Sequence, residues 1–243
     1  MIPIGEHERH RHGQPIAFLG RRIDERRADL VFGQRLHPPS LGATVAVGAA
    51  AYDRGMSPFP LPTERLMLDQ PTDADVDTIA GFCTDPVFER FMVTPWPYER
   101  EHAVGFVDEY VPAGWAQDTE WTWAIRAHDS APLLGVLSVR KAGGMVGYWL
   151  GAPHRGHGIL PEALGAVIDA VFARTELDRV RWECTVGNLA SMRVAQKCGF
   201  RFTGEHTGRI PARDGSPILA WNGELLRTDD RTPKPGWPDG VEA

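Results

Sequence analysis

The stretch from position 148 to 160, read as Tyr-Trp-Leu-Gly-Ala-Pro-His-Arg-Gly-His-Gly-Ile-Leu, has residue types that suit an anion site. A strand-like apolar run ends at Leu150, a turn with two glycines and Arg155 follows, and a helical pattern begins near Pro161. Glycine lets the backbone approach a phosphate closely, and the N–H groups that begin a helix carry a partial positive charge. The segment therefore predicts a turn that holds a pyrophosphate at a helix N-terminus.

Two familiar nucleotide-binding motifs do not match this turn. The dinucleotide pattern G-x-G-x-x-G fails because position 161 is proline, and no G-K-[ST] sequence follows the glycines. A turn that only joins a strand to a helix is the remaining structural alternative.

A wider set of residues resembles the GNAT superfamily of N-acetyltransferases, within it the RimJ/RimL-like branch, which acetylates protein N-termini and assorted small amines. The residues that carry the resemblance are Gly147-Tyr148-Trp149-Leu150, Arg155-Gly156-His157-Gly158, Glu162-Ala163-Leu164, Asn188-Leu189-Ala190-Ser191 and Gly199-Phe200. The resemblance spans about residues 62–227. It implies an α+β protein with the GNAT fold, in which a mixed, mostly antiparallel sheet and flanking helices surround a central βαβ site for coenzyme A.

The resemblance also implies which residues bind acetyl-CoA. Backbone N–H groups of the turn are expected to hold the pyrophosphate, and they belong to Arg155, Gly156, His157, Gly158, Ile159 and Leu160. Trp149 and Leu150 are expected to pair with the pantetheine amides as an added strand would, and the Asn188 amide to bond the same arm. Leu160 departs from the small residue usual there, and His157 replaces the usual Arg or Lys. The His157 imidazole either contacts a phosphate or stays neutral at the surface.

Two catalytic roles follow from the same resemblance. Ser191 is expected near the thioester sulfur, where its hydroxyl donates a proton to the departing thiolate; a helix N-cap is the alternative role. Glu183 is the first candidate for the base that deprotonates the amine, followed by Glu120 and His102. The structural alternative for Glu183 is an exposed strand carboxylate. Direct attack on the thioester needs no cysteine nucleophile.

Composition excludes several other classes of protein. A net charge of −6 disfavours nucleic acid as a partner, because nucleic-acid binding relies on Lys and Arg neutralising phosphates. Three cysteines without C-x-x-C spacing indicate neither a disulfide framework nor a zinc site. No run reaches the about 18 apolar residues of a membrane span, and no signal peptide is evident. We expect a cytoplasmic protein without a metal or a membrane partner.

The chain is predicted to divide into three parts. Residues 1–57 form an N-terminal extension that is poorly ordered, 58–227 form the GNAT domain, and 228–243 form a loose tail. His7, His10 and His12 in the extension are more typical of a solvated tail than of a metal site.

Within the domain, hydrophobic periodicity predicts the order of the elements. The expected strands are 66–68, 121–126, 133–139, 145–150, 180–186, 200–203 and 218–226, and the expected helices are 73–82, 99–110, one beginning near 161, and 191–198. Residues 85–97 are expected to form a Pro-rich loop. Trp96 and Trp115, both expected in loops, either pack in the core or line an apolar acceptor pocket.

The sequence therefore predicts an acetyl-CoA-dependent N-acetyltransferase whose acceptor is a primary amine, either a peptide N-terminus or a small molecule. Two alternatives stay open. One is a non-catalytic acyl-CoA-binding or regulatory domain, and the other is an interaction protein without affinity for coenzyme A. Association as a homodimer also stays open, as does the role of Arg193 and Lys197, which either reach the phosphates or face solvent.

Overall fold

The computed structural model describes residues 56–128 and 131–238, which form an eight-stranded sheet with helices packed against it. The strands are β1 Leu61–Pro62, β2 Met67–Asp69, β3 Glu120–Arg126, β4 Leu133–Arg140, β5 Met145–Leu150, β6 Arg179–Thr185, β7 Arg201–Thr207 and β8 Leu219–Leu226. Their order is β1-β2-β3-β4-β5-β6-β8-β7, and β5 with β6 is the parallel pair among the described strands. The predicted mixed, mostly antiparallel sheet is confirmed. All but the last two residues of the predicted N-terminal extension lie outside the described residues, as do its three histidines.

The α-helices of the described chain are α1 Val76–Phe82, α2 Pro86–Phe91, α3 Arg100–Gly105, α4 Val111–Ala116, α5 Ile159–Arg174 and α6 Leu189–Lys197. Helix α5 joins β5 to β6 and completes the predicted βαβ unit. Its apolar stripe includes Leu164, Val167, Ile168 and Val171, all fully buried. Three- and four-residue spacing places these side chains on one helix face, and burying each stabilises the fold by about 2 kcal/mol.

The prediction of a loop over residues 85–97 was wrong in part, because α2 occupies its first half. Asp85 caps this helix by accepting a hydrogen bond from the Val87 N–H at 2.9 Å. Pro86 occupies the first helical position, where its missing N–H removes no intrahelical bond. These two effects allow a short helix in a proline-rich segment.

The helix predicted over residues 99–110 continues further than expected. A π-helical turn, Phe106–Tyr110, follows α3 and leads directly into α4. This turn precedes Pro112, which cannot complete the hydrogen bonds of a regular helix interior. Trp115 consequently lies in α4 rather than in a loop.

Trp115 belongs to the core and lines neither of the cavities described below. Its side chain is 1% exposed, and its indole stacks on Trp121 with ring centroids 5.7 Å apart. Phe59 meets both rings, and Trp123, edge to face. The alternative of an acceptor pocket at Trp115 was wrong, because the ring is buried and its N–H donates to the carbonyl oxygen of Thr122 at 3.1 Å. Trp96 packs partly buried against the same core.

The C-terminal segment is packed as far as the structure describes it, in contrast to the predicted loose tail. Arg231 pairs with Asp169 of α5 at 2.5 Å. The Trp237 ring packs against Trp182, with centroids 5.6 Å apart, and against Phe202. Two aromatic contacts on the sheet hold this segment in place.

Candidate functional site

Strands β5 and β6 separate at their carboxyl ends. Their parallel pairing comprises Met145 with Arg181 and Val146 with Trp182. Beyond this point β5 remains paired with β4 as far as Leu150, while β6 remains paired with β8 as far as Thr185. The edge of β5 that faces β6 is therefore unpaired with that strand from Gly147 onward, and an extended ligand can add along it.

The turn after β5 has the backbone that the sequence predicted. Gly156 and Gly158 have φ angles of +84° and +74°, a region that favours glycine over residues with a Cβ. Helix α5 begins directly after Gly158. The first turn of this helix has N–H groups without acceptors inside the helix, which makes its N-terminus a site for an anion.

Arg65 fixes this turn from the side. Its guanidinium donates to the carbonyl oxygens of His157 at 3.3 Å and Gly158 at 3.4 Å, and pairs with Glu162 at 2.6 Å. Thr63 Oγ1 also donates to Glu162, at 2.5 Å. Partial burial alone would raise the pKa of Glu162, but the hydrogen bonds from Thr63 and Arg65 lower it overall. No sequence motif marks Arg65, so its place at the site was not predicted.

Arg155 joins the turn to α2. Its Nε donates to the carbonyl oxygen of Leu150 at 3.1 Å, and its Nη1 pairs with Asp85 at 2.8 Å. The Val87 N–H bond and then Arg155 lower the pKa of Asp85, although burial opposes them. Arg155 therefore holds together three parts of the site: the end of β5, the glycine turn and the start of α2.

A groove of about 320 Å³ runs from the turn along the unpaired edge of β5. Helices α2 and α6 form its sides. Its lining residues are Val87, Phe88, Phe91, Met92, Tyr148, Trp149, Leu150, Arg155, Gly156, Gly158, Ile159, Leu160, Pro161, Asn188, Ala190, Ser191, Arg193, Val194 and Lys197.

The charged residues of this lining, Arg155, Arg193 and Lys197, are all basic, whereas the whole chain has a net charge of −6. Local charge of this sign fits an anionic ligand. The lining includes Trp149, Leu150, Asn188 and most of the turn. The His157 side chain is exposed and lies outside the lining, so His157 contributes its backbone to the turn.

A smaller cavity of about 120 Å³ lies between β5, β6 and the segment before β8. It is lined by Phe91, Met92, Val93, Arg140, Gly147, Tyr148, Trp182, Glu183, Cys184, Thr185, Asn188, Ser191, Ile210, Ile218 and Ala220. The groove and the cavity share five of these residues, namely Phe91, Met92, Tyr148, Asn188 and Ser191. Ligands in the two spaces would meet at this junction.

Ser191 is the centre of a hydrogen-bond chain at the junction. Its Oγ accepts from the Trp182 indole N–H at 3.0 Å and donates to Tyr148 Oη at 3.2 Å. The Tyr148 hydroxyl donates in turn to the Ser191 carbonyl oxygen at 2.9 Å. The alternative that Ser191 caps α6 was wrong, because Asn188 is the cap and accepts from the Ser191 N–H at 3.2 Å. This cap uses the oxygen of the Asn188 amide.

Tyr148 was in the quoted motif but received no role from the sequence. Burial, the largest cause, raises the pKa of its hydroxyl well above the usual value for tyrosine. The hydroxyl therefore stays protonated at neutral pH and acts as a hydrogen-bond donor. The alternation of β5 residues would have indicated that Tyr148 and Trp149 face opposite ways, but not that Tyr148 meets α6.

Glu183 lies in the wall of the smaller cavity, with a side chain 6% exposed. Its carboxylate accepts from the backbone N–H groups of Arg209 at 2.9 Å and Ile210 at 3.2 Å, and pairs with the Arg209 guanidinium at 3.5 Å. The structural alternative for Glu183, an exposed strand carboxylate, was wrong, because this side chain is buried. A carboxylate held by three donors is fixed in position and retains lone pairs for a further proton.

The two other candidate bases lie outside both cavities. Glu120 accepts from the Tyr110 hydroxyl at 2.6 Å and from Arg140 Nε at 3.3 Å. His102 Nδ1 accepts from the Glu99 N–H at 2.9 Å and so caps α3. Both side chains have structural partners in the fold.

The cysteines show no sign of nucleophilic chemistry. Cys83, Cys184 and Cys198 are free and buried. Burial raises the pKa of each thiol to about 12, so the thiolate is scarce at neutral pH. Within residues 56–128 and 131–238 no group of three or more His, Cys, Asp or Glu residues is arranged to hold a metal ion. No helix in the same part of the chain is long and apolar enough to cross a membrane.

Comparison with curated proteins finds two relatives that match part of the chain. A Bacillus subtilis (strain 168) protein named "Probable N-acetyltransferase YjcK" is 34% identical over 94 residues, which cover 36% of this chain and 52% of that protein. The Escherichia coli (strain K12) ribosomal-protein-serine acetyltransferase is 36% identical over 77 residues, or 30% of this chain and 43% of that protein. The chain thus matches about half the length of these relatives.

Solved structures share the fold at lower identity. An acetyltransferase from Salmonella typhimurium that modifies the N-terminal serine of ribosomal protein L7/L12 superposes with a TM-score of 0.57, at 19% identity, covering 69% of this chain and 99% of that one. The microcin C7 self-immunity acetyltransferase MccE, solved with acetyl-CoA and AMP, also gives 0.57 at 19% identity, covering 68% and 93%.

The family model described as acetyltransferase (GNAT) domain matches residues 65–201, more than half of the 243 residues. This match contains strands β5 and β6, the glycine turn between β5 and α5, and helix α6 with Ser191. The chain therefore belongs to the GNAT acetyltransferase family.

Proposed function

We propose that this chain is an N-acetyltransferase that moves an acetyl group from acetyl-CoA to a primary amine. The observation that carries the proposal is the meeting of a basic groove with a small, separate cavity at Tyr148, Asn188 and Ser191. A donor in the groove and an acceptor in the cavity would reach each other at one point. Such alignment of two reactants supplies a large part of the rate increase in a transfer reaction.

The groove residues divide into parts that suit the parts of acetyl-CoA. The glycine turn and the N-terminus of α5 suit the pyrophosphate, and Arg193 and Lys197 add positive charge nearby. The unpaired edge of β5 suits the amides of the pantetheine arm, with the Asn188 side chain opposite. When bound, acetyl-CoA supplies the activated thioester carbonyl.

The reaction requires that a nitrogen–carbon bond forms while the carbon–sulfur bond breaks. The amine loses a proton, and the thiolate that departs gains one. Ser191 is our candidate for the second proton: its Oγ accepts from Trp182, which leaves its own hydrogen to point to Tyr148 or to the sulfur. General acid catalysis of this kind contributes about 10²- to 10⁴-fold to a rate.

Glu183 is our candidate for the base that removes the amine proton. It lines the same cavity as Ser191 but belongs to β6, so the two groups reach the cavity from different elements. The N–H groups of Arg209 and Ile210 fix its orientation. A water molecule between Glu183 and the amine would extend its reach.

The proposed acceptor is the amine of a peptide or protein N-terminus. Two observations support this class of acceptor. Relatives with this fold are named for action on a ribosomal protein. The smaller cavity, which we call the acceptor cavity, is too small for a large ligand to enter whole. A small molecule with a primary amine is the second candidate. We further propose a cytoplasmic location, supported by three cysteines that are free and buried.

The alternative is a domain that binds acyl-CoA without turnover. The Trp182–Ser191–Tyr148 chain argues against it, since binding alone does not need a positioned hydroxyl. An assay of thiol release with peptides, polyamines and aminoglycosides tests the proposal, with calorimetry for acetyl-CoA binding in parallel. Binding without release for every amine would favour the non-catalytic domain.

A further inference from the structure

The segment Gly208–Ile218, which we call the acceptor loop, joins β7 to β8 and forms one side of the smaller cavity. Ile210 and Ile218 provide its lining residues, and the opposite wall comes from Phe91 and Met92 at the end of α2. The width of the cavity therefore depends on how the acceptor loop lies against α2.

Arg213, in the middle of the acceptor loop, crosses to α2 and the residues after it. Its Nη2 donates to the carbonyl oxygens of Phe88 and Met92, both at 2.7 Å. Its Nη1 donates to Glu89 O at 2.8 Å and its Nε to Thr94 O at 2.7 Å. The last carbonyls of a helix have no intrahelical donors and attract a cation, so this is a favourable place for a guanidinium.

The other hydrogen bonds that the structure shows for the acceptor loop do not reach α2. Gly208 N–H donates to Ile218 O at 2.7 Å, and Ala212 N–H to Ser216 O at 2.8 Å, both within the loop. Arg209 and Ile210 donate to Glu183 of β6. Among the described residues, the hydrogen bonds between this loop and the α2 segment are therefore those of Arg213.

We propose that Arg213 is a latch that fixes the width of the acceptor cavity and so makes the enzyme select amines with a small head group. This inference rests on the proposed acetyltransferase function. The latched cavity measures about 120 Å³, whereas an apolar cavity of about 150 Å³ is known to admit benzene. A peptide that begins with serine would fit this space, and one that begins with tryptophan would not. Arg213 is a positioning residue, because it acts through the loop and not on the substrate.

The test compares Arg213→Ala with Arg227→Ala as a matched control. Arg227 is also an arginine that binds several carbonyl oxygens at a helix end: it donates to Phe172 O, to Thr175 O at 2.6 Å and to Leu177 O at 2.8 Å. These contacts lie at the end of α5 and outside both cavities. The two variants lose the same type of interaction at different distances from the acceptor cavity.

For each protein, kcat/KM is measured with peptides that begin with serine and with tryptophan, together with the Kd for acetyl-CoA. In Arg213→Ala we expect the preference for serine to fall by about tenfold or more, mainly through KM, with acetyl-CoA affinity within about twofold of the wild type. Arg227→Ala should keep the wild-type preference. An unchanged preference in Arg213→Ala, or an equal loss in Arg227→Ala, would overturn the proposal.

Amide hydrogen exchange of residues 208–218 provides a readout that does not depend on turnover. We expect faster exchange of these amides in Arg213→Ala, while the amides of β3 and β4 remain protected. If the alanine variant does not fold, Arg213→Lys takes its place with the same expectation. Unchanged exchange in the acceptor loop would refute the latch. If the wild type acetylates neither peptide, the proposed peptide acceptor fails, and hydrogen exchange alone then decides the latch.

Discussion

The indole N–H of Trp182 donates to Ser191 Oγ at 3.0 Å, and this bond links the buried face of β6 to the reacting end of α6. Trp182 is almost fully buried, and the ring of Trp237 packs against it at 5.6 Å. The indole N–H, fixed in the core, occupies one lone pair of Ser191 Oγ. The single hydrogen of the Ser191 hydroxyl then points to Tyr148 Oη. The position of this hydroxyl is therefore set by the core and by the C-terminal segment together.

Replacement of Ser191 by alanine should slow acetyl transfer and leave acetyl-CoA binding intact. The variant loses the proposed proton donor but keeps the α6 cap, which Asn188 provides. We expect kcat to fall by about 100-fold, within the usual range for a general acid. Steady-state kinetics and calorimetry measure the two effects. A rate equal to that of the wild type would show that Ser191 is not the donor.

Trp182→Phe tests the bond to Ser191 while it keeps an aromatic ring in the core. We expect a fall in kcat of about tenfold, because a neutral hydrogen bond contributes about 0.5–1.5 kcal/mol. Phe202→Leu serves as a packing control, since Phe202 also contacts Trp237 but makes no bond to Ser191. Equal losses of kcat in both variants would assign the effect to packing and not to the indole N–H.

Arg155→Glu should abolish binding of acetyl-CoA. The change places a carboxylate next to Asp85 and reverses one of the three positive charges in the groove. We expect Kd to rise at least about 100-fold, because an unpaired like charge in a partly buried site costs several kcal/mol. Arg100→Glu makes the same change of charge on α3, outside both cavities. Comparable affinity of the two variants in a calorimetric titration would refute the anion site.

The buried pair Asp75 and Arg126 should make stability depend on pH in acid. Burial alone would raise the pKa of Asp75, but the hydrogen bonds and charge of Arg126, at 2.7 Å, lower it below its usual value of 3.8. A lowered pKa in the folded state adds stability that is complete above pH 3.8 and is lost as pH falls through the folded-state value.

Asp75→Asn should accordingly lower the free energy of unfolding at pH 7 by about 1.5–3 kcal/mol, because it weakens the charge-assisted hydrogen bonds from Arg126, which keeps Asp69 as a partner at 2.8 Å. Its stability should then fall less steeply than that of the wild type below pH 4, about where an ordinary aspartate titrates. Denaturant unfolding at several pH values measures both effects. Parallel curves for the two proteins would exclude Asp75 as a source of the acid sensitivity.

The sequence predicted most of the fold because its strong signals are local. The stripe of Leu164, Val167, Ile168 and Val171 identifies α5 by spacing alone, and the alternation of β6 identifies a strand. The prediction failed at α2, where a capping Asp and a Pro at the first position begin a helix too short for periodicity to be seen. The same limit applies to α4, which follows a π-helical turn.

The glycine turn could be predicted from the sequence because its residues are adjacent along the chain. Gly156, Gly158 and the start of α5 form one segment, so their spacing was enough to predict an anion site. Arg65, Asp85 and Arg213 were missed because each reaches the site from a distant segment. Their contacts depend on tertiary structure, and the spacing of residues along the chain does not reveal which distant segments meet.

The most direct test of the proposed transfer is to incubate the protein with acetyl-CoA and a peptide that begins with serine, and to follow thiol release and peptide mass together. The meeting of groove and cavity at Ser191 predicts one acetyl group on the peptide N-terminus for each thiol released. If acetyl-CoA binds but neither this peptide nor any amine in a broad panel is acetylated, the chain is not an acetyltransferase for these amines and the proposed function is wrong.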